Sequence, residues 1–211
     1  MDLSLLIRAL LTTLGIWICA LLLAALLSGF VAAGRRSHHT AVRALTAGWV
    51  AVVRGFPPLV WMVLLFFGIG FGLLGESPEF AAVVALGLIY SAYFGDSIYG
   101  GLTAVPSGQF EAAAAVSLSK YTTYRQVILP QAFPVIASSS ITYSISLLKD
   151  TSIASIIGVT EVVFVADTSV QAGMNPFAAF FEVGFLYLIF TVPIGLLGRW
   201  FEGRSSLKKA R

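Results

Sequence analysis

The sequence predicts an all-α polytopic membrane protein with five transmembrane helices, its N-terminus outside and its C-terminus inside. Three observations predict it. The 211 residues are 58% hydrophobic and only 11% charged, with mean hydropathy +0.91; an ordinary soluble domain is roughly a quarter charged. Five apolar blocks recur along the chain, each near the roughly 20 residues that a helix needs to cross a bilayer. Lys and Arg gather in three polar segments that share one side if the count is five, and such residues mark the cytoplasmic side.

The first block runs over about 8–33. Its core, Ala9 to Ala33, is longer than the roughly 7–15 residues of a signal-peptide core. Arg35 and Arg36 follow it, so a retained helix is expected rather than a cleaved leader. A short polar loop, GRRSHHTAVR, comes next. The second block begins at Leu45 or at Phe56 and ends near Leu74, before GESPE. The third runs from Phe80 to about Leu102. A semi-polar segment separates it from the fourth, about Val127 to Leu148, which is rich in Ser and Thr. A stretch with Glu161, Asp167 and the turn signal Asn175-Pro176 precedes the fifth block, Phe177 to Leu197. A basic tail with Arg199, Arg204, Lys208, Lys209 and Arg211 ends the chain.

Charge sets the sidedness. Arg35, Arg36, Arg43, Lys120, Arg125 and the tail fall on one side; Asp2, Glu76, Glu79, Glu161 and Asp167 fall on the other. The net charge of +3 and pI near 9.2 are therefore assigned to the positive-inside bias, and no nucleic-acid partner is expected. The chain reads as a single transmembrane domain over 1–211, with no linker or tandem repeat. Cys19, the single cysteine, is expected to be a small packing residue in an apolar run. The two His, at positions 38 and 39, form no metal-ligand spacing and are expected in a solvated loop. No G-x-x-x-x-G-K-[ST] loop is present, so ATP phosphates cannot be cradled by that device.

The semi-polar segment, EAAAAVSLSKYTTYRQVILPQAFP over 111–134, lies on the cytoplasmic side in this topology. Pro106 and Ser107 predict a helix start. Ala112 to Ala115 are strong helix formers. Ser117 and Ser119 interrupt the pattern and can cap a second short helix, whose apolar stripe is Tyr121, Tyr124, Val127 and Ile128. Pro130 is expected to break or kink the chain where it re-enters the membrane. The physics thus gives two short surface helices over about 104–129, and by itself leaves open a loop that packs and does nothing more.

That segment resembles the EAA motif of membrane subunits of type I ABC importers: Glu-Ala-Ala, three residues, Gly, a spacer, then Leu-Pro. Glu111, Ala112, Ala113, Leu129 and Pro130 match it; Ser117 stands at the motif Gly. Gly would permit a positive φ at the bend, whereas Ser is expected to bend by capping. Three further blocks are similar to the polar amino acid branch. They are WVAVVRGFPPLVWMVLLFFG (49–68), SAYFGDSIYGGLTAVPSGQFEAA (91–113) and SLLKDTSIASIIGVTEV (146–162). Phe56 replaces a usual Thr, Asp96 a common Glu, and Tyr99 a common Arg.

The resemblance implies a permease subunit of an ATP-driven importer for a polar amino acid or a derivative, working by alternating access in the bacterial cytoplasmic membrane. The two short helices would be the coupling helices, docked in a groove of a separate ABC ATPase dimer that binds ATP and Mg. Glu111 would pair with a basic residue there. A second permease, related or identical, and a periplasmic or surface-anchored solute-binding protein are implied as partners. The chain itself is expected to bind no cofactor and to carry no catalytic residue.

The substrate pathway or gate candidates are four charged residues in or beside the apolar blocks, Arg54, Asp96, Lys149 and Asp150, with the aromatic Tyr93. A charged side chain at mid-bilayer is costly unless paired or wetted. Asp96 is therefore expected to find Lys149, Arg54 or a substrate amine, or to sit wetted near the cytoplasmic end of its span. Lys149 and Asp150 either salt-bridge locally or line the passage. Arg54 is an interface anchor or a gate ion pair. Tyr93 lines the passage or packs. Two rival functions stand: a type I importer subunit for another small solute, and an ATP-independent carrier or channel, which needs no docking loop.

Overall fold

The computed structural model describes residues 2–69 and 77–209, and every regular element among them is helical. Leu74, Glu76 and Arg211, assigned above to a span end, an outer loop and the tail, lie outside the described residues. Helix α1 spans Leu3–Arg35. Asp2 caps it, its carboxylate accepting the Ser4 backbone N–H at 2.9 Å. Helix α2 spans Thr40–Gly55. Helix α3, Pro58–Val63, starts on a proline whose missing N–H costs nothing at a first turn. It widens into a π-helical turn over Leu64–Ile69. Helix α4 spans Pro78–Thr103, with Ser77 as a capping side chain and Pro78 in the first turn.

The cytoplasmic-side expectation of 104–129 maps onto helix α5, Ser107–Ala115, and the short helix α6, Lys120–Thr122. A π-helical turn, Thr123–Ile128, joins α6 to helix α7, Leu129–Asp150. The chain then tightens to a 3₁₀ stretch, Thr151–Ile157. Helix α8 spans Val162–Gln171 and helix α9 spans Pro176–Lys209.

Among the described residues three helices are long and apolar enough to cross a membrane alone: α1, α4 and α9. Two bent pairs pass the same test together. One is α2 with α3 and its π turn, meeting at 98°; the other is the Lys120–Ile157 rod with α8, meeting at 47°.

Helix α4 is the centre of the molecule. It packs most extensively on α1, and also touches α2, α3 and α7. Glycines make the α1–α4 approach possible. A Cβ on Gly95 would meet the Val31 side chain within 2.6 Å, and one on Gly87 would strike Leu23. The main core joins Ile16, Ala20 and Ala24 of α1 to Ala85, Leu86 and Ile89 of α4, with Val53 and Leu147. A second core joins Ala9 to Val162, Val165, Ala179 and Val183, seating α8 between α1 and α9. The outer faces of α1 and α9 remain bare of protein: Leu22, Leu26, Phe30, Phe181, Phe185 and Leu188 are all more than half exposed. In a membrane protein that is a lipid face. Cys19 is exposed on this face and not packed inside; at 3.6 residues per turn it lies about 100° around the helix from buried Ala20.

Two local expectations for the middle segment are corrected. The second short helix is not separate, because α6, the π turn and α7 form one continuous rod. Pro130 therefore neither ends nor breaks the chain. It falls in the first turn of α7, directly after the wide π turn, where one extra residue relieves the clash a proline ring makes. Most of the expected apolar stripe holds: Tyr124, Val127 and Ile128 pack with Ala132. Thr123 joins them inside, while Tyr121 stays 70% exposed.

Candidate functional site

Asp96 sits on α4, seven residues before its end, so about 10 Å from the helix terminus at 1.5 Å per residue. Two helix ends bring guanidinium groups to it. Arg54 at the end of α2 donates to Oδ2 at 2.5 Å, and Arg35 at the end of α1 lies 3.5 Å from Oδ1. The side chains are 22% (Asp96), 27% (Arg35) and 37% (Arg54) exposed. Each arginine also rests on a tyrosine of α4: Arg54 lies 4.4 Å from the Tyr93 ring centroid and Arg35 lies 4.9 Å from that of Tyr99. Tyrosine faces attract cations. The i, i+3 spacing of Tyr93, Asp96 and Tyr99 sets all three on one stripe of α4.

Of the partners expected for Asp96, Arg54 is found and Lys149 is not. Arg35 is the partner that sequence reading missed. Tyr99, where an Arg is common, still serves the site by holding Arg35. The Asp96 carboxylate already faces two cations, so a substrate amine would have to displace one.

Tyr93 extends the site inward. Its ring meets Tyr143 of α7 at 4.9 Å and Tyr90 at 5.4 Å. Tyr90 is buried, and its hydroxyl donates to Asp150 Oδ2 at 2.8 Å. Asp150 is thus held by a tyrosine. No ion pair joins Lys149 and Asp150 among the described residues. Lys149 points elsewhere: it is exposed and lines a cavity of about 380 Å³ with Ser152, Gly184, Tyr187 and Thr191.

Glu111 and Ala112 are exposed on α5, whereas Ala113 is buried within the chain. Leu129 and Pro130 are exposed at the rod's surface. The bend after α5 is a Schellman motif. The Leu118 N–H donates to the Ala113 carbonyl at 3.0 Å and the Ser117 N–H to the Ala114 carbonyl at 2.9 Å. Ser117 itself takes φ +57°, the one positive-φ non-glycine among the described residues. The expectation that Ser bends by capping is therefore wrong at Ser117. The serine adopts the left-handed conformation that the motif's glycine would supply, because the two hydrogen bonds demand it. Ser119 does cap: its hydroxyl accepts the Thr122 N–H at 3.2 Å.

A second residue escaped sequence reading. Glu161, which charge set on the outer side, is fully buried. Oε1 accepts the Phe164 N–H at 2.8 Å and caps α8. Oε2 and the neighbouring Tyr187 hydroxyl are both buried, and neither reaches full hydrogen-bond geometry among the described residues. The sequence carried little signal for it, because the usual N-cap residues are Ser, Thr, Asp and Asn, not Glu. Asp167 is exposed, as expected. His38 and His39 are exposed in the α1–α2 loop. Among the described residues no group of three His, Cys, Asp or Glu is arranged to hold a metal.

A helical bundle with charged groups inside, apolar faces outside and an exposed helical elbow at one end is the build of a polytopic membrane protein. Residues 25–206 match the family described as binding-protein-dependent transport system inner membrane component. The chain belongs to that family and is a permease, as its motifs implied. It is 34% identical over 197 residues to the arginine ABC transporter permease protein ArtQ of Haemophilus influenzae, covering 90% of this chain and 88% of that one. It is 32% identical over 212 residues to the nopaline transport system permease protein NocM of Agrobacterium fabrum, covering 92% and 86%. Among solved structures, the crystal structure of an amino acid ABC transporter with histidines matches with TM-score 0.85 at 29% identity, over 95% of this chain and 94% of that one. The inward-facing MetNI methionine ABC transporter matches with TM-score 0.78 at 19% identity, a likeness of fold.

Proposed function

We propose that this permease imports a polar amino acid, or a derivative of one, across the bacterial cytoplasmic membrane by alternating access driven by a separate ABC ATPase dimer. The observation that carries this reading is the exposed Glu111–Ala112 face at the foot of the Lys120–Ile157 rod. The rod runs without a sharp break from the α5 elbow to Lys149 and Asp150. From Lys120 to Lys149 it covers about 44 Å at 1.5 Å per residue. A push on α5 and the Ser117 bend therefore reaches the Tyr90–Asp150 contact and the Lys149 cavity as one rigid-body motion. ATP and Mg belong to the partner.

The reading takes the whole of 1–211 as one transmembrane domain and 104–129 as its coupling region. It keeps five spans, with the N-terminus outside. The 98° bend between α2 and α3 favours the later start of span two, at Phe56, with α2 lying oblique at the interface. The exposed Arg43 and Arg54 on α2 suit an interfacial helix. Five spans enclose too little for a solute path, so a second permease, related or identical, completes it. A periplasmic or surface-anchored binding protein delivers the solute.

Roles follow from position. Arg54, Asp96 and Tyr93 form a gate clasp near the cytoplasmic end. Lys149 offers a cation to a substrate carboxylate in its cavity. Asp150, tied to Tyr90, positions the end of the rod. Glu111, Ala112, Ser117, Leu129 and Pro130 present the docking surface, and Ala113 anchors it from inside. Relatives named for arginine and nopaline point the same way on substrate class.

The test is the complex reconstituted with its ATPase and binding protein, screened for stimulated ATP hydrolysis and uptake against a panel of amino acids and conjugates. One class of polar amino acids should stimulate both. Glu111→Ala should abolish most of the stimulated hydrolysis with an unchanged unfolding midpoint, because Glu111 is exposed. Uptake by the lone permease without an ATPase sinks the reading in favour of a carrier or channel.

A further inference from the structure

A cavity of about 570 Å³ opens where the α1–α2 turn faces the end of α4 and the start of α5. Arg35, Arg36 and Arg43 line it, together with Thr103 of α4 and Ser107 of α5. The arginines are poorly neutralised. Arg36 donates to the Tyr124 hydroxyl at 3.1 Å. Arg43 donates to the Ser37 and His38 carbonyls at 3.0 and 3.4 Å. Neither has a carboxylate within ion-pair distance among the described residues; Arg35 shares Asp96 with Arg54.

A second, mostly apolar crevice of about 290 Å³ lies further along α1, between Phe30 and Val31 of α1, Thr46 and Trp49 of α2, and Leu88 and Ser91 of α4. Thr46 lies against Gly34, one residue from Arg35, so the crevice adjoins the basic turn.

From this pairing we infer that the α1–α2 turn is a binding site for the phosphate headgroup of an anionic phospholipid, with an acyl chain leaving along the Phe30–Trp49 crevice. Arginine guanidinium groups match phosphate in geometry as well as in charge, and basic pockets between spans on the cytoplasmic side suit anionic headgroups. The crevice separates a lipid from a soluble phosphate, which needs no apolar wall. An acidic protein surface would likewise leave the crevice empty. The site abuts Arg35 of the Asp96 clasp and Ser107 of α5, so an occupied pocket ties the first loop to the coupling elbow. The inference goes beyond the transport reading and does not depend on which amino acid is carried.

The experiment titrates the purified full-length complex with phosphatidylglycerol or phosphatidylcholine and counts bound lipid by native mass spectrometry. Both faces are open in detergent, so the result is independent of the sidedness proposed above. Wild type should prefer phosphatidylglycerol. Arg36→Gln/Arg43→Gln should lose about 30-fold of that preference, since a basic group near a lipid surface contributes about fivefold. Thr103→Glu, which removes no arginine and sets a carboxylate in the cavity, should act in the same direction. Arg8→Gln, at the other end of α1, should change nothing. Equal binding of the two lipids, or a preference untouched by both pocket variants, overturns the inference. So does full displacement of phosphatidylglycerol by inorganic phosphate, which would make the site one for a soluble anion. Loss of the copurified ATPase from the variants with lipid preference intact assigns the arginines to the partner instead.

Discussion

Two carboxylates inside this bundle are held in opposite ways. Asp96 faces two guanidinium groups, each backed by a tyrosine ring. Glu161 is more deeply buried, yet no cation lies within ion-pair distance of it among the described residues; its one hydrogen-bonding oxygen serves the N-terminus of α8. A buried charge is costly unless paired, and an N-terminal dipole offers only partial compensation. Asp96 is therefore a clasp that works through its charge, and Glu161 a cap that works through an acceptor oxygen. The difference says which substitution each site tolerates.

The largest effect is expected at the clasp. Asp96→Asn leaves Arg35 and Arg54 facing a neutral amide. A hydrogen bond to a charged group contributes about 1.5–3 kcal/mol, and the partial exposure of Arg54 brings the expected loss to about 2 kcal/mol. A double-mutant cycle with Arg54→Gln, read from unfolding midpoints in detergent, should show coupling of at least about 1 kcal/mol. In the assembled transporter the same variant should weaken substrate-stimulated ATP hydrolysis. Strict additivity of the two substitutions would dissolve the clasp, and unchanged stimulation and uptake would remove it from the transport cycle.

At Glu161 the charge should matter less than the shape. Glu161→Ala removes the acceptor for Phe164 and should cost about 1 kcal/mol, the usual size of a lost N-cap. Glu161→Gln keeps an acceptor oxygen and relieves the buried charge, so its unfolding midpoint should equal or exceed that of wild type. If Gln destabilises as much as Ala, Glu161 is held by its charge and the contrast with Asp96 fails. Hydrogen–deuterium exchange over α8 reports the same distinction locally, with faster exchange expected for Ala alone.

The legibility of these sites follows from their physics. Asp96 stood out because a charge in an apolar block has few explanations, and Arg54 was a named partner. Arg35 was missed because it belongs to a loop cluster whose bulk reads as a sidedness signal. Glu161 was missed because sequence shows that a residue is polar, not that a broken span folds back over it. Apolar block length marked α1, α4 and α9 well. It could not mark the 98° bend after Gly55, because α2 and α3 are both apolar enough to read as one block. The π turn at Thr123–Ile128 was illegible for a different reason: it inserts a residue without altering composition.

The smallest predicted effect is the sharpest at the coupling elbow, where strain rather than charge is stored. Ser117 sits at φ +57° because the Schellman hydrogen bonds of Leu118 and Ser117 close α5 only through a left-handed residue. A side chain in that conformation costs about 1 kcal/mol relative to glycine. Ser117→Gly should therefore raise stability by about 0.5–1 kcal/mol, less than the full strain because glycine also loosens the unfolded chain. Ser117→Val, branched at Cβ, should lower it. Both variants keep Glu111 on the same exposed face, so stimulated hydrolysis should follow the bend and not the hydroxyl. Glycine should preserve coupling and valine impair it. If glycine instead impairs coupling while raising the unfolding midpoint, the strained serine is itself part of the lever. The relation between Asp96 and Glu161 then has a third member, a site held under tension by its backbone alone.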